Sequence, residues 1–147
     1  MKIKRLFTME GEGPYQSLEF ENRTSVIRNP DGSVVSEWEN VTVPKHWSQV
    51  ATDIMAQKYF RKAGIPKQLK PAKEKGVPSW LQPSLPDQVE SNQEKNETEP
   101  NETESTASET DVREVFHRMA GCWTYWGYKY NYFDTEEDAC AFYDELC

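Results

Sequence analysis

The chain has 147 residues, nine prolines and a formal net charge of −8, which leaves room for one domain in which only part of the sequence can build a core. Its acid is concentrated: from Asp87 to Asp111 nine acids stand against Lys95 alone, a local charge of −8 that leaves the remainder neutral. That distribution excludes a chain-wide mimic of nucleic acid or a general cation-binding surface.

Cys122, Cys140 and Cys147 are odd in number, include no CxxC pair and have no His at a metal-ligand spacing. Neither a zinc site nor a disulfide framework is indicated, and reduced, cytoplasmic cysteines are expected. The opening "MKIKRLFTMEGEG" is basic but lacks the apolar run of a signal peptide. No later segment is long enough to span a membrane.

In chain order, residues 1–17 contain Gly11, Gly13 and Pro14 without a sustained period and read as an extended arm. "TSVIRNPDGSVVSEW" then places β-branched residues on both sides of "NPDG". There Pro30 presets φ for the first turn position and Gly32 can take the left-handed conformation, which predicts a β-hairpin of Arg23–Arg28 against Ser33–Trp38.

After "VTVPKHW" the period lengthens to that of a helix. Ser48 is the expected N-cap, Trp47, Val50, Ala51, Ile54 and Met55 the apolar side, and Gly64 with Pro66 the stop, giving a helix over about 48–63. Lys58, Arg61 and Lys62 fall at its C-terminal end, where cations favour the helix macrodipole.

Residues 67–110 read as a disordered acidic linker, since a run of Glu, Asn, Thr and Ser cannot bury enough apolar surface to offset its ordering entropy. The one apolar island is "VPSWL", Val77–Leu81, expected to pack on its own domain.

Order is expected to return at Asp111, which with Glu114 has capping-box spacing. Val112, Val115, Phe116, Met119, Ala120, Trp123 and Trp126 recur at helical spacing, so a helix should run to about Gly127. "YKYNYF" then leads to Asp134 and Glu137, a second predicted capping box, and to Ala139, Phe142, Tyr143, Leu146 and Cys147 on one face. At Cys147 that pattern is intact with no stop signal, so the helix is expected to be cut there. A fragment, a split-gene product and an intein-interrupted piece all stay open.

The stripe of Phe116, Trp123 and Trp126, with Tyr125, Tyr128, Tyr130 and Tyr132 nearby, has the residue types of a base-stacking platform. Single-strand binders pair such rings with a positive groove. Here Arg113, Arg118 and Lys129 are outnumbered by Glu114, Asp134, Glu136, Glu137 and Asp138, the wrong sign for a phosphate backbone. A buried helix–helix interface explains the rings better, because burial at about 25 cal/mol per Å² makes several of them a large stabilising term. His46 and His117 stand apart from any Ser or Cys at nucleophile spacing, and the cysteines read as small core hydrophobes. These residues describe an α+β, mostly helical support module: a β-hairpin followed by three helices, with no catalytic or metal-binding residue and no identifiable cofactor-binding residue.

Three stretches carry a family resemblance: "FENRTSVIRNPDGSVVSEWENVTVPKHWSQVATDIMAQKYFRKAGIP", "VPSWL" and "VFHRMAGCWTYWGYKYNYFDTEEDACAFYDELC". Together they closely resemble the amino-terminal region of adenosylcobalamin-dependent (class II) ribonucleoside-diphosphate reductases, over about residues 18–66, 77–81 and 111–147. "WSQVATDI", "AQKYFRKAG" and "TYWG" are the specific matches.

The resemblance implies a helical cap preceding a ten-stranded α/β barrel. In that barrel a thiyl radical generated through cobalamin abstracts the ribose 3′ hydrogen, and a cysteine pair supplies the reducing electrons. None of Cys122, Cys140 and Cys147 matches those cysteines, so no catalytic residue is carried over. Adenosylcobalamin and the nucleotide would belong to the full-length enzyme, and the aromatic stripe would be the face that packs against the barrel. The partner implied is the remainder of the reductase polypeptide or a separate catalytic chain, with no nucleic acid and no membrane. The acidic run between Leu81 and Asp111 departs from the family pattern and reads as a variable insertion. A free-standing interaction module presenting its aromatic helix face to another protein is the alternative.

Overall fold

The computed structural model describes residues 1–87 and 106–147. Residues 88–105, the most acidic part of the expected linker, lie outside the described residues. Among the described residues the fold is α+β, a β-hairpin followed by three helices, and the chain divides into two compact units: Met1–Phe60 with Thr110–Cys147, and Arg61–Glu109.

In the first unit β1 (Phe20–Arg28) pairs antiparallel with β2 (Val34–Pro44) around the predicted turn. Gly32 has φ +86° and donates to the Asn29 carbonyl at 2.9 Å, and the Asp31 carboxylate accepts from both the backbone N–H and the hydroxyl of Ser33. The hairpin is longer than expected because pairing resumes beyond Trp38. Ser25 faces Trp38 and Arg23 faces Val41, which leaves one extra residue on β2. Asn40 absorbs it with φ +57°, the conformation that a bulge demands and that Asn tolerates better than most side chains. The bulge turns Val41 and Val43 into the core, both fully buried.

The helix expected over 48–63 is shorter. α1 (Gln49–Ile54) starts as predicted, with the Ser48 hydroxyl accepting from the Ala51 N–H at 3.2 Å. From Met55 to Tyr59 the turn widens to a π-helix that closes with the Phe60 N–H donating to the Met55 carbonyl at 3.1 Å. Its buried side is Thr52, Ala56 and Phe60, whereas Val50 and Ile54 are exposed. Lys58 lies in the last turn; Arg61 and Lys62 lie beyond it.

α2 (Val112–Lys129) opens on the predicted capping box: the Asp111 carboxylate accepts from the Arg113 N–H, and Glu114 reaches back to the Asp111 N–H at 3.1 Å. Val112 and Val115 join Val41, Val43, Ala56 and Phe60 in one core, with Phe20, Trp38, Trp47, Met55, Phe116 and Met119 packed around it. Trp38 meets Phe60, and Trp47 meets Phe116, edge to face with centroids 6.2 and 6.3 Å apart; such pairs are worth about 0.5–1.5 kcal/mol beyond burial.

α3 (Glu136–Leu146) packs against α2. Its N-cap is Thr135, whose hydroxyl accepts from the Asp138 N–H at 3.1 Å, and not Asp134. The Asp134 carboxylate instead meets the amino group of Met1.

In the second unit the described residues form short pairs, largely within the stretch read from the sequence as a disordered linker: β3 (Ile65–Pro66) with β6 (Thr106–Ala107), and β4 (Leu69–Pro71) with β5 (Ser84–Pro86). "VPSWL" ends in a single 3-10 turn, Ser79–Leu81, that buries Leu81. The Gln82 amide holds this loop by accepting from the Glu74 N–H and donating to the Glu74 and Val77 carbonyls.

Candidate functional site

Two neighbouring stripes run along α2, and only one is buried. After Val115 the buried positions are Ala120, Thr124 and Gly127, while Trp123 and Trp126 stay 45% and 53% exposed. Small side chains decide this. A Cβ on Gly127 would stand 2.7 Å from Phe133 Cε2, so glycine is what lets the Phe133 ring lie on the helix and tilt against Phe142, centroids 5.3 Å apart. The signal was present in the sequence as the run of small residues Ala120, Thr124 and Gly127, which marks close approach; the size of the tryptophans hid it.

Trp123 and Trp126, with Tyr130 and Tyr132 at 69% and 62% exposure, therefore form an aromatic face open to solvent. The expectation of a helix–helix interface buried within this chain is corrected for these four rings. Cys122 is exposed on the same helix. Lys129 donates to the Tyr125 hydroxyl at 2.9 Å and lies 5.2 Å from that ring's centroid, so one local cation is engaged by the aromatics.

The other two cysteines are inward. Cys147 sits beside the hydroxyls of Tyr15 and Tyr143, and burial pushes its thiol pKa up. Burial likewise raises both tyrosines well above the usual phenol value. Among the described residues no nitrogen or oxygen partners the buried Tyr15 hydroxyl; what faces it is the thiol, a weak acceptor. Tyr143 shares a 2.7 Å hydrogen bond with His117 Nδ1, which gives that histidine a structural partner. Burial also raises the Cys140 thiol. Thiols held protonated in this way are packing groups at neutral pH, because the thiolate is the nucleophile and ligand.

His46 is exposed at the edge of a shallow hollow of about 230 Å³ lined also by Ser17, Leu18, Glu19 and Lys45. The Lys45 amine there pairs with Glu19 at 3.0 Å. His46 lines this hollow, whereas His117 is bonded to Tyr143 on α3. Among the described residues, no group of three His, Cys, Asp or Glu is placed to hold a metal ion, and no helix is long and apolar enough to cross a membrane.

The arm also has structure. Asp138 accepts from the Ile3 N–H at 2.8 Å, Asp144 pairs with Arg5 at 2.7 Å, and the Glu145 carboxylate accepts from the N–H groups of Leu6, Phe7 and Thr8. Sequence periodicity could not reveal this, because side-chain carboxylates of α3 hold the arm's backbone and backbone carries no pattern.

Comparison with known proteins places these features. Residues 21–147 match the family model described as class II vitamin B12-dependent ribonucleotide reductase. The chain is 52% identical over 146 residues to the vitamin B12-dependent ribonucleotide reductase of Bradyrhizobium diazoefficiens, covering 99% of this chain and 11% of that protein. It is 53% identical to the protein of the same name from Agrobacterium fabrum, with the same coverage, and 25% identical over 137 residues to that of Rhodopirellula baltica. The chain thus spans about a tenth of the length of the relatives it matches. On the match of residues 21–147 to that model, the chain belongs to the class II vitamin B12-dependent ribonucleotide reductase family.

Proposed function

We propose that this chain is the amino-terminal segment of a cytoplasmic reductase that converts ribonucleoside diphosphates to deoxyribonucleotides with adenosylcobalamin. In it the segment serves as a structural cap on the catalytic barrel and contributes no catalytic cysteine. The observation that carries the reading is the solvent-facing row of Trp123, Trp126 and Tyr130, in a chain whose relatives are roughly nine times longer. Several large rings fixed on one helix and left in water mark a contact site. The protonated, inward Cys140 and Cys147 are packing groups, which supports placing the radical and redox cysteines downstream.

The hollow beside His46, about 230 Å³, is below the roughly 300–1,000 Å³ of pockets that enclose drug-sized ligands. Its amine is already paired, so it does not fit a corrin. Cobalamin and nucleotide contacts are assigned to the remainder of the polypeptide.

Reconstitution tests this. The polypeptide downstream of residue 147 is prepared alone, with adenosylcobalamin and a ribonucleoside diphosphate, and assayed with and without the 147-residue chain. Activity that depends on adding the chain supports the cap. Full activity without it, or turnover by the 147 residues alone, would sink the assignment. A free-standing interaction module would leave the downstream activity unchanged.

A further inference from the structure

The arm presents a second apolar surface, distinct from the aromatic face. Leu6, Phe7 and Met9 are 69%, 87% and 68% exposed, yet the backbone that carries them is not loose. The Glu145 carboxylate accepts from the N–H of Leu6 at 3.0 Å and of Thr8 at 2.8 Å, and also from that of Phe7. It takes the Thr8 hydroxyl too, at 2.6 Å. Arg5, which also bonds the Thr8 hydroxyl, is anchored to Asp144. These bonds hold the Glu145 carboxyl well below its ordinary range, at about 2, so it is fully charged and fully engaged at neutral pH. A segment whose backbone is already held has lost part of its freedom before any partner arrives, and docking its apolar side chains therefore costs less entropy.

The position of this strap identifies what would cover it. Glu145 is two residues from Cys147, and Leu146 beside it is itself 38% exposed. Any polypeptide that continues from α3 starts two residues beyond Glu145, whose carboxylate holds the backbone of Leu6 and Phe7. The relatives carry about nine-tenths of their length outside the matched part.

The geometry points to Leu6 and Phe7, pinned by Glu145, together with the neighbouring exposed Met9, as a docking strap for the polypeptide that continues beyond Cys147 in the full-length reductase. This rests on the reading of the chain as an amino-terminal segment. It adds a contact site that is separate from the Trp123 and Trp126 face, and it makes the arm part of the junction between this segment and the downstream polypeptide.

Site-specific photocrosslinking in the full-length protein tests it. Benzoylphenylalanine is placed in separate variants at Phe7 and at Trp126, both exposed, and the crosslinked peptides are identified by mass spectrometry. The strap predicts that the probe at Phe7 joins to residues of the same chain beyond 147. It also predicts that Glu145→Gln lowers this yield several-fold while leaving the Trp126 yield unchanged.

Crosslinks from Phe7 confined to residues 1–147, or reaching only a second copy, would overturn the strap. So would an absence of crosslinks, or a yield indifferent to Glu145→Gln. If Trp126 reaches downstream residues and Phe7 does not, the strap fails and the amino-terminal cap stands. If neither does, both fail.

Discussion

A methyl group added at Gly127 would meet the Phe133 ring at 2.7 and 2.8 Å, whereas one added at Gly121 meets only His117 Cε1 at 3.9 Å, an ordinary contact. The two substitutions should therefore differ in sign. Gly127→Ala must push Phe133 off Phe142, and overpacking of this kind costs about 1–3 kcal/mol. Gly121→Ala should stabilise by about 0.5–1 kcal/mol through the helix preference for alanine. Urea unfolding of the two variants checks both; equal shifts would contradict the close approach at Gly127. Glu145 gives a prediction in pH. Folding lowers its pKa from 4.5 to about 2, first through the Thr8 hydroxyl and then through the backbone N–H groups of Leu6, Phe7 and Thr8. The stability these bonds contribute is fully present above the ordinary value and is lost as pH falls from about 4.5 towards 2, where the folded carboxyl itself takes up its proton. Amide resonances of Leu6, Phe7 and Thr8 monitored by NMR should titrate near the lower figure. A midpoint at the ordinary glutamate value would show the arm to be unheld.

At the scale of elements, both long helices are started by side chains that replace the bonds missing at a helix N-terminus. The Asp111 and Glu114 box was legible because both partners lie at fixed spacing within one turn. The second cap was misplaced by one residue: Asp134 and Thr135 are both good caps by type, and tertiary contact with Met1 claims Asp134. Thr135→Ala should accordingly cost about 1 kcal/mol. Thermal melting monitored by circular dichroism measures it, and a neutral result would return the cap to Asp134. The π-helical end of the first helix was not legible for a related reason. Its Lys58 and Tyr59 are ordinary helix residues, and the wider turn comes from seating Phe60 among Val41, Val43 and Val112, partners that sequence distance keeps out of any local pattern.

For the whole molecule, the exposed aromatic face should make the isolated chain associate with itself. Trp123→Ser with Trp126→Ser should lower that association in sedimentation velocity without lowering the melting temperature, since neither ring is in the core. A large loss of stability would mean that the rings are needed within this chain. The sequence by itself determined the hairpin and the two long helices as element types, the hairpin turn at Pro30 and Gly32, the Ser48 and Asp111 caps, and membership of the reductase family, because turn chemistry, capping and long identical stretches are all written in neighbouring residues. Only the tertiary structure decided which of two adjacent stripes on Val112–Lys129 is buried, and that carboxylates of Glu136–Leu146 hold the arm. Periodicity reports that a helix has an apolar side. It does not report how closely a neighbour approaches, and that distance selected Thr124 and Gly127 for the inside and left Trp123 and Trp126 in water.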